Sequence, residues 1–262
     1  MPFETIHYEV REQIAYITFN RPQAANSMTL EMLRELMEIS LLCETNKNLR
    51  VVLLKAEGSK FSVGGDLASF AAAGDQISLL LRQMTTYLHA AISRFLRMSA
   101  PLVVAVNGVA AGAGFSLAAA GDLVLAAKSA KFTMAYTGAG LTPDGASTYV
   151  LPRLIGIRRT KELMLTNRLL SATEAQDWGI VNRVVEDQDL LGEAEKLVQT
   201  LAHGPTQAYG AVKTLLLSAF SEALETQLEM ESRAIAQAGT TQDGKEGIAA
   251  FLSKRIPQFQ GF

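Results

Sequence analysis

The chain has 262 residues, with 24 Lys and Arg against 26 Asp and Glu. Its net charge of −2 gives no general attraction to nucleic acid or to an anionic membrane. Apolar residues at 48% and charged residues at 19% describe a globular chain that can bury a sizeable core. The one cysteine, Cys43, excludes an internal disulfide, and the histidines His7, His89 and His203 are too scattered to suggest a metal site, so no metal is expected.

In chain order, no basic segment followed by an apolar run lies behind Met1, which predicts a cytoplasmic protein. Phe3–Val10 and Gln13–Asn20 read as a hairpin that ends at Arg21-Pro22. Thr29 can cap a helix to about Thr45, with Leu30, Leu33, Leu36, Met37 and Leu41 on one face. Val51–Leu54 is a continuous apolar run, as expected of a strand covered on both sides. Helices are predicted at Leu67–Ala73 and Ile77–Met98.

Met98 to Gly121 carries no charge and is long enough to cross a bilayer. Pro101, Asn107 and the glycines at 108, 112, 114 and 121 would leave backbone groups unsatisfied in lipid. A buried strand at Leu102–Val106, a loop at Asn107–Ala111 and a small-residue helix at Gly112–Ala120 fit better, so no membrane span is expected. Another strand follows at Leu123–Ala127, and Ser171-Ala172-Thr173-Glu174 is a capping box. Ile180–Val185 is the last predicted strand of the main body. From Asp187 the pattern is helical: Pro205 opens a helix to about Phe220, another spans Ser221–Ala238, and a polar break at Gly239–Gly244 precedes a last helix ending near Pro257. Strand–helix alternation predicts an α/β fold, with a core at 1–203 and a helical region at 204–262 that needs something to pack on, such as another subunit.

Three features carry chemistry. Two are the glycine segments Lys60-Phe61-Ser62-Val63-Gly64-Gly65-Asp66-Leu67 and Asn107-Gly108-Val109-Ala110-Ala111-Gly112-Ala113-Gly114-Phe115. Each follows a strand-like run and precedes a helix-like one, a junction that leaves backbone N–H groups free. Two such donors on one carbonyl oxygen would make an oxyanion hole. The third is Asp144, in Leu141-Thr142-Pro143-Asp144-Gly145, a lone carboxylate that could serve as acid or base. Plainer readings exist: the glycines make turns and close packing, Asp66 caps a helix, Asp122 satisfies a local turn, Pro143-Asp144-Gly145 is an ordinary turn, and His89 is a core histidine.

The ordered set of both glycine segments with Asn20-Arg21-Pro22, Leu151–Gly156, Ala175–Val181, Lys245-Glu246-Gly247 and Phe251–Lys254 resembles the crotonase (enoyl-CoA hydratase/isomerase) superfamily over essentially the whole chain. The resemblance implies a spiral of ββα units with a C-terminal helical region that trimerises, as a homotrimer or a dimer of trimers. It implies an acyl-CoA thioester substrate, with CoA part of the substrate and no separate cofactor. The oxyanion donors would be the backbone N–H groups of Val63 and Ala113, and CoA contacts would come from Ala24, the loop Ser62, Val63, Gly64, Gly65, Asp66 and Leu67, Ala113, and Phe251 and Lys254. Ser116 and Tyr136 stand where hydratases of the family carry two glutamates, which counts against hydration. Asp144 matches a position used by the family's isomerases, so a proton shift by Asp144 is favoured. The alternative is attack of Asp144 on an aromatic ring, as in 4-chlorobenzoyl-CoA dehalogenase, with His89 as base and Tyr136 in place of a tryptophan that holds the aspartate.

Readings from other classes are a serine hydrolase, a dinucleotide-binding fold and a non-catalytic acyl-CoA-binding protein. Gly114-Phe115-Ser116-Leu117-Ala118 is one glycine short of the nucleophile elbow. Gly112-Ala113-Gly114-Phe115-Ser116-Leu117 lacks the third glycine of a dinucleotide-binding turn. The loss of both glutamates keeps the binding protein in view. Met84, Tyr87 and Leu88 are expected at the acyl pocket.

Overall fold

The computed structural model describes residues 3–262. An antiparallel hairpin opens the chain, β1 (Ile6–Arg11) and β2 (Ile14–Phe19), with Glu12 and Gln13 both at positive φ in the turn. The helix α1 (Leu30–Thr45) starts at Thr29, whose hydroxyl accepts the Met32 N–H. Then one pattern repeats three times. A buried strand is followed by a three-residue strand and by helix: β3 (Val51–Ala56), β4 (Lys60–Ser62), then α2 (Leu67–Ala73) and α3 (Ile77–Arg97); β5 (Leu102–Val106), β6 (Val109–Ala111), then α4 (Ala113–Ala119); β7 (Leu123–Ala127), β8 (Lys131–Thr133), then α5 (Ser147–Thr166). The first strand of each unit enters a six-stranded sheet and the second enters a four-stranded one, so the chain winds forward as ββα turns. The remaining elements are β9 (Leu170–Ser171), α6 (Ala172–Asp177), β10 (Arg183–Val185), α7 (Leu190–Ala202), α8 (Thr206–Ser218), α9 (Leu224–Thr240) and α10 (Gln242–Leu252).

The large sheet has the order β1-β2-β3-β5-β7-β10, antiparallel at β1–β2 and parallel from β2 onward. Both of its faces are covered, which explains the unbroken apolar runs. Ala15, Ile17, Val52, Leu54, Leu102, Val104 and Val106 face the main core. Their alternates Ile14, Tyr16, Val51, Leu53, Val103 and Ala105 face Leu190, Ala194 and Val198 of α7. The small sheet has the order β4-β6-β8-β9 and carries the glycine segments at its strand ends.

Several boundaries depart from the sequence reading. Asn107–Ala111 is a strand of the small sheet from Val109, not a loop, because pairing with β4 and β8 supplies the hydrogen bonds that three residues cannot supply alone. The last strand begins at Arg183, not Ile180. The polar break at Gly239–Gly244 shrinks to Thr241, whose hydroxyl accepts the Gly244 N–H and starts α10 at once. The final helix stops at Leu252 and not near Pro257: Lys254 turns to φ 52°, and its N–H and that of Arg255 close onto the Phe251 and Ala250 carbonyls. The capping box at Ser171 and Glu174 forms as read. Among the described residues no helix is long and apolar enough to cross a membrane.

Candidate active site

The two glycine segments meet at the edge of the small sheet. Gly64 has φ 87°, and a Cβ there would stand 2.8 Å from the Ala111 carbonyl oxygen and 3.1 Å from the Ala113 nitrogen. Gly112 has φ 51°, a conformation that places Ala113 at the first turn of α4. The two glycine segments are therefore closely apposed, Gly64 against Gly112 and Ala113.

Their hydrogen bonding differs. Among the described residues the Ala113 N–H has no hydrogen-bond acceptor, whereas the Val63 N–H donates to the Ala25 carbonyl at 3.2 Å. The expectation that both donors stand free is thus corrected for Val63. The cause lies in the segment after β2. Ala25 and Asn26 are both left-handed, at φ 52°, and turn the Ala25 carbonyl over Val63. Asn26, fully buried, holds that turn by accepting the Arg21 N–H at 2.8 Å and donating to the Glu57 and Lys60 carbonyls, each at 2.9 Å. Sequence reading stopped at Asn20-Arg21-Pro22 and missed Asn26, for which a polar residue before a helix cap was the only signal.

A cavity of about 240 Å³ opens beside this contact. Val63, Gly65, Leu67, Gly112, Ala113, Tyr136 and Asp144 line it, with Met84 and Leu88 of α3 and Phe70 of α2 among its apolar walls. Tyr87 is not at the cavity, whereas Leu81 and Thr85 of α3 are. Asp144 is the one carboxylate among the lining residues. The Tyr136 hydroxyl donates to Asp144 Oδ1 at 2.5 Å and lies 3.0 Å from the Ser116 hydroxyl. Burial, and after it the charge of Asp144, push the Tyr136 phenol far above its ordinary range, so it stays a donor. The Asp144 backbone carbonyl accepts the Ser147 N–H and hydroxyl, which fixes the turn ahead of α5.

The other predicted residues stand apart from this cluster. Asp66 caps α2, accepting from Ser69 N–H at 2.8 Å and from the Ser27 hydroxyl at 2.7 Å; the Ser27 bond first, then those from Ser69, hold it below the usual carboxylate range. Ser62 is buried and donates to the Asn26 carbonyl, and Ala24 lies in the 3-10 turn Pro22–Ala24, outside the cavity. His89 accepts the Gly145 N–H at Nε2, 3.2 Å away, and lines a different cavity of about 690 Å³ on the far side of Asp144. That lone pair is occupied, a geometry that suits holding the Asp144 turn better than taking a proton from water. Phe251 and Lys254 lie outside both cavities, and Phe251 is 84% exposed. Lys254 lies beyond the end of α10, so it does not continue the helical face of Phe251.

Ser116 is fully buried inside α4 and hydrogen-bonded to Tyr136, not presented at a strand–helix turn as a serine nucleophile would be. A ββα spiral with two glycine-built peptide contacts beside a carboxylate describes one class of protein. The chain belongs to the enoyl-CoA hydratase/isomerase family, whose model matches residues 9–261. It is 38% identical to the 1,2-epoxyphenylacetyl-CoA isomerase of Escherichia coli (strain K12) over 98% of this chain and 99% of that protein. It is 33% identical to 4-chlorobenzoyl coenzyme A dehalogenase-2 of Arthrobacter sp over 96% of this chain and 91% of that protein. The crystal structure of an enoyl-CoA hydratase from Polaromonas sp. JS666 superposes with a TM-score of 0.92 at 34% identity, covering 97% of this chain and 99% of that one.

Proposed function

We propose that this enzyme is an acyl-CoA isomerase in which Asp144 moves a proton, and with it a double bond, along the acyl chain. The observation that carries the reading is the single carboxylate: Asp144 shares its cavity with the Ala113 N–H and the Val63 peptide, and no second acid lines it. In the step proposed, Asp144 takes a proton from a carbon beside the thioester and the electron pair moves onto the thioester oxygen. The Ala113 N–H stabilises that enolate. Val63 joins when the substrate oxygen displaces the Ala25 carbonyl from its N–H. The protonated Asp144 then returns the proton to another carbon, so nothing is consumed besides the substrate.

CoA itself would be gripped by Ala24 and the Ser62–Leu67 loop, with Phe251 and Lys254 serving a neighbouring subunit. Apolar side chains exposed on α8 and α9, among them Leu216, Leu224, Leu228 and Ile235, support self-association as a trimer or a dimer of trimers.

The test runs in deuterated water with a 3-enoyl-CoA, a 2-enoyl-CoA and 4-chlorobenzoyl-CoA in parallel, read by NMR and mass spectrometry. Double-bond migration with deuterium uptake is expected, and Asp144→Asn should abolish it while CoA binding survives. Water addition would replace the reading with hydration, chloride release would make Asp144 a nucleophile, and silence on all three with CoA still bound would favour a binding protein.

A further inference from the structure

We propose that Ser116 and Tyr136 form a hydroxyl relay that positions Asp144, committing Oδ1 to a hydrogen bond and leaving Oδ2 for the substrate proton. The proposal deepens the isomerase reading and takes from it Asp144 as the acid and base.

Proton counting gives the direction. Ser116 is fully buried, so its single hydroxyl proton has no water to go to. Two acceptors are in reach: Tyr136 Oη at 3.0 Å and the Gly112 carbonyl at 3.2 Å. The Gly112 carbonyl already receives the Ser116 N–H at 2.9 Å. Tyr136 also has one proton, and it goes to Asp144 Oδ1, since an ionised carboxylate only accepts. The Tyr136 oxygen then needs a donor of its own, and Ser116 supplies it. A phenol that accepts one hydrogen bond donates a stronger second one.

Packing fixes the same three residues. A Cβ on Gly145, the residue after Asp144, would stand 2.8 Å from Ser116 Cβ, so α4 lies directly beneath the Asp144 turn. On the other side, α3 holds the turn through His89 and the Gly145 N–H. Among the described residues no other side chain hydrogen-bonds the Asp144 carboxylate. The titratable and charged groups that share the neighbouring cavity with it are His89, Arg97 and Tyr149, and none forms an ion pair with it.

The relay makes Tyr136 and Ser116 positioning residues, because each acts through its neighbour. Tyr136→Phe should lower kcat on the order of ten- to a hundredfold, the loss of a hydrogen bond to a charged group, with KM little changed. Ser116→Ala should cost several-fold alone and almost nothing in the Tyr136→Phe background. An equal cost in both backgrounds would overturn the relay, as would a Tyr136→Phe effect confined to KM.

A second readout does not depend on turnover. The Tyr136 hydroxyl proton, buried and donated to Asp144, should give a slowly exchanging signal in 1H NMR. That signal should vanish in Tyr136→Phe and in Asp144→Ala, which removes the acceptor, and move upfield in Ser116→Ala. Its persistence in Asp144→Ala would overturn the pairing. If the wild-type protein turns over no acyl-CoA, the isomerase reading fails while this spectrum still decides the relay. Should Tyr136→Phe not fold, judged by its thermal midpoint, Ser116→Ala carries the test.

Discussion

At the scale of single residues, Gly114 sets the distance on which the site depends. A Cβ there would lie 2.6 Å from the Ser62 carbonyl oxygen and 2.7 Å from Ser62 Cβ, both on the backbone or short side chain of a paired strand. Gly114→Ala should therefore push β4 from α4 and carry Val63 away from Ala113. The expected cost is about 1–3 kcal/mol of stability with a larger proportional loss of acyl-CoA affinity, checked by thermal unfolding and titration calorimetry. The glycines were legible in the sequence because the need for close approach selects a residue without a side chain. Asp144 was legible only through its surroundings, since Pro143-Asp144-Gly145 by itself is a turn. The link from Ser116 through Tyr136 to Asp144 left no trace in spacing, because Ser116 lies on α4 and the other two lie in the next turn, between β8 and α5. Cys43 is buried, and burial pushes its thiol up to about 12.

At the scale of elements, the C-terminal helices are attached through polar contacts that no hydrophobic pattern reveals. Lys213 of α8 reaches between α3 and β5, 2.7 Å from Asp122 Oδ2, and donates to the Phe95 and Ala100 carbonyls. Burial pushes Lys213 down and Asp122 up, so each needs the other to stay charged. Asp122 was read as satisfying a local turn; instead it accepts the N–H of Leu102, 20 residues away at the start of β5, and anchors α8 through Lys213. Asp122→Ala should cost about 3–5 kcal/mol by stranding the buried ammonium, and adding Lys213→Met should recover much of that in urea unfolding. The chain end is pinned differently. Glu246 of α10 pairs with Arg255 and accepts the Gln258 N–H at 2.8 Å, bonds that hold its carboxyl near 2 instead of its ordinary 4.5. Because the folded value is depressed, this anchor is complete above about 4.5 and is lost as pH falls toward about 2. Amide exchange at Gln258 should accelerate across that window before the core strands respond.

Elements were uneven in their legibility. The capped helices α1 and α2, and α3 with its continuous apolar face, matched because local signals fix them. The four strands of the small sheet were read as loops or not at all, since strands of two or three residues carry no period. The helix α5 went unread for a physical reason: Pro152 removes a donor inside it and Gly156, at φ 77° and ψ 157°, breaks it into two pieces with no continuous apolar stripe.

At the scale of the molecule, the ββα winding distributes the site among its turns. Val63 comes from the first turn, Ala113 and Ser116 from the second, Tyr136 and Asp144 from the third. All of these join parallel strands whose partners are distant in sequence, pairings that form slowly because loop closure precedes any reward. No single turn, formed early, holds enough of the pocket to bind anything. During refolding from denaturant, helix signal should therefore return well ahead of CoA binding, and binding should appear only with the slowest phase that restores the buried tyrosine environment. Simultaneous recovery would mean that the turns close together. The spiral thus makes capture of substrate an all-or-none event in time: a nascent chain released before its third turn closes would be silent toward thioesters, however much helix it already contained.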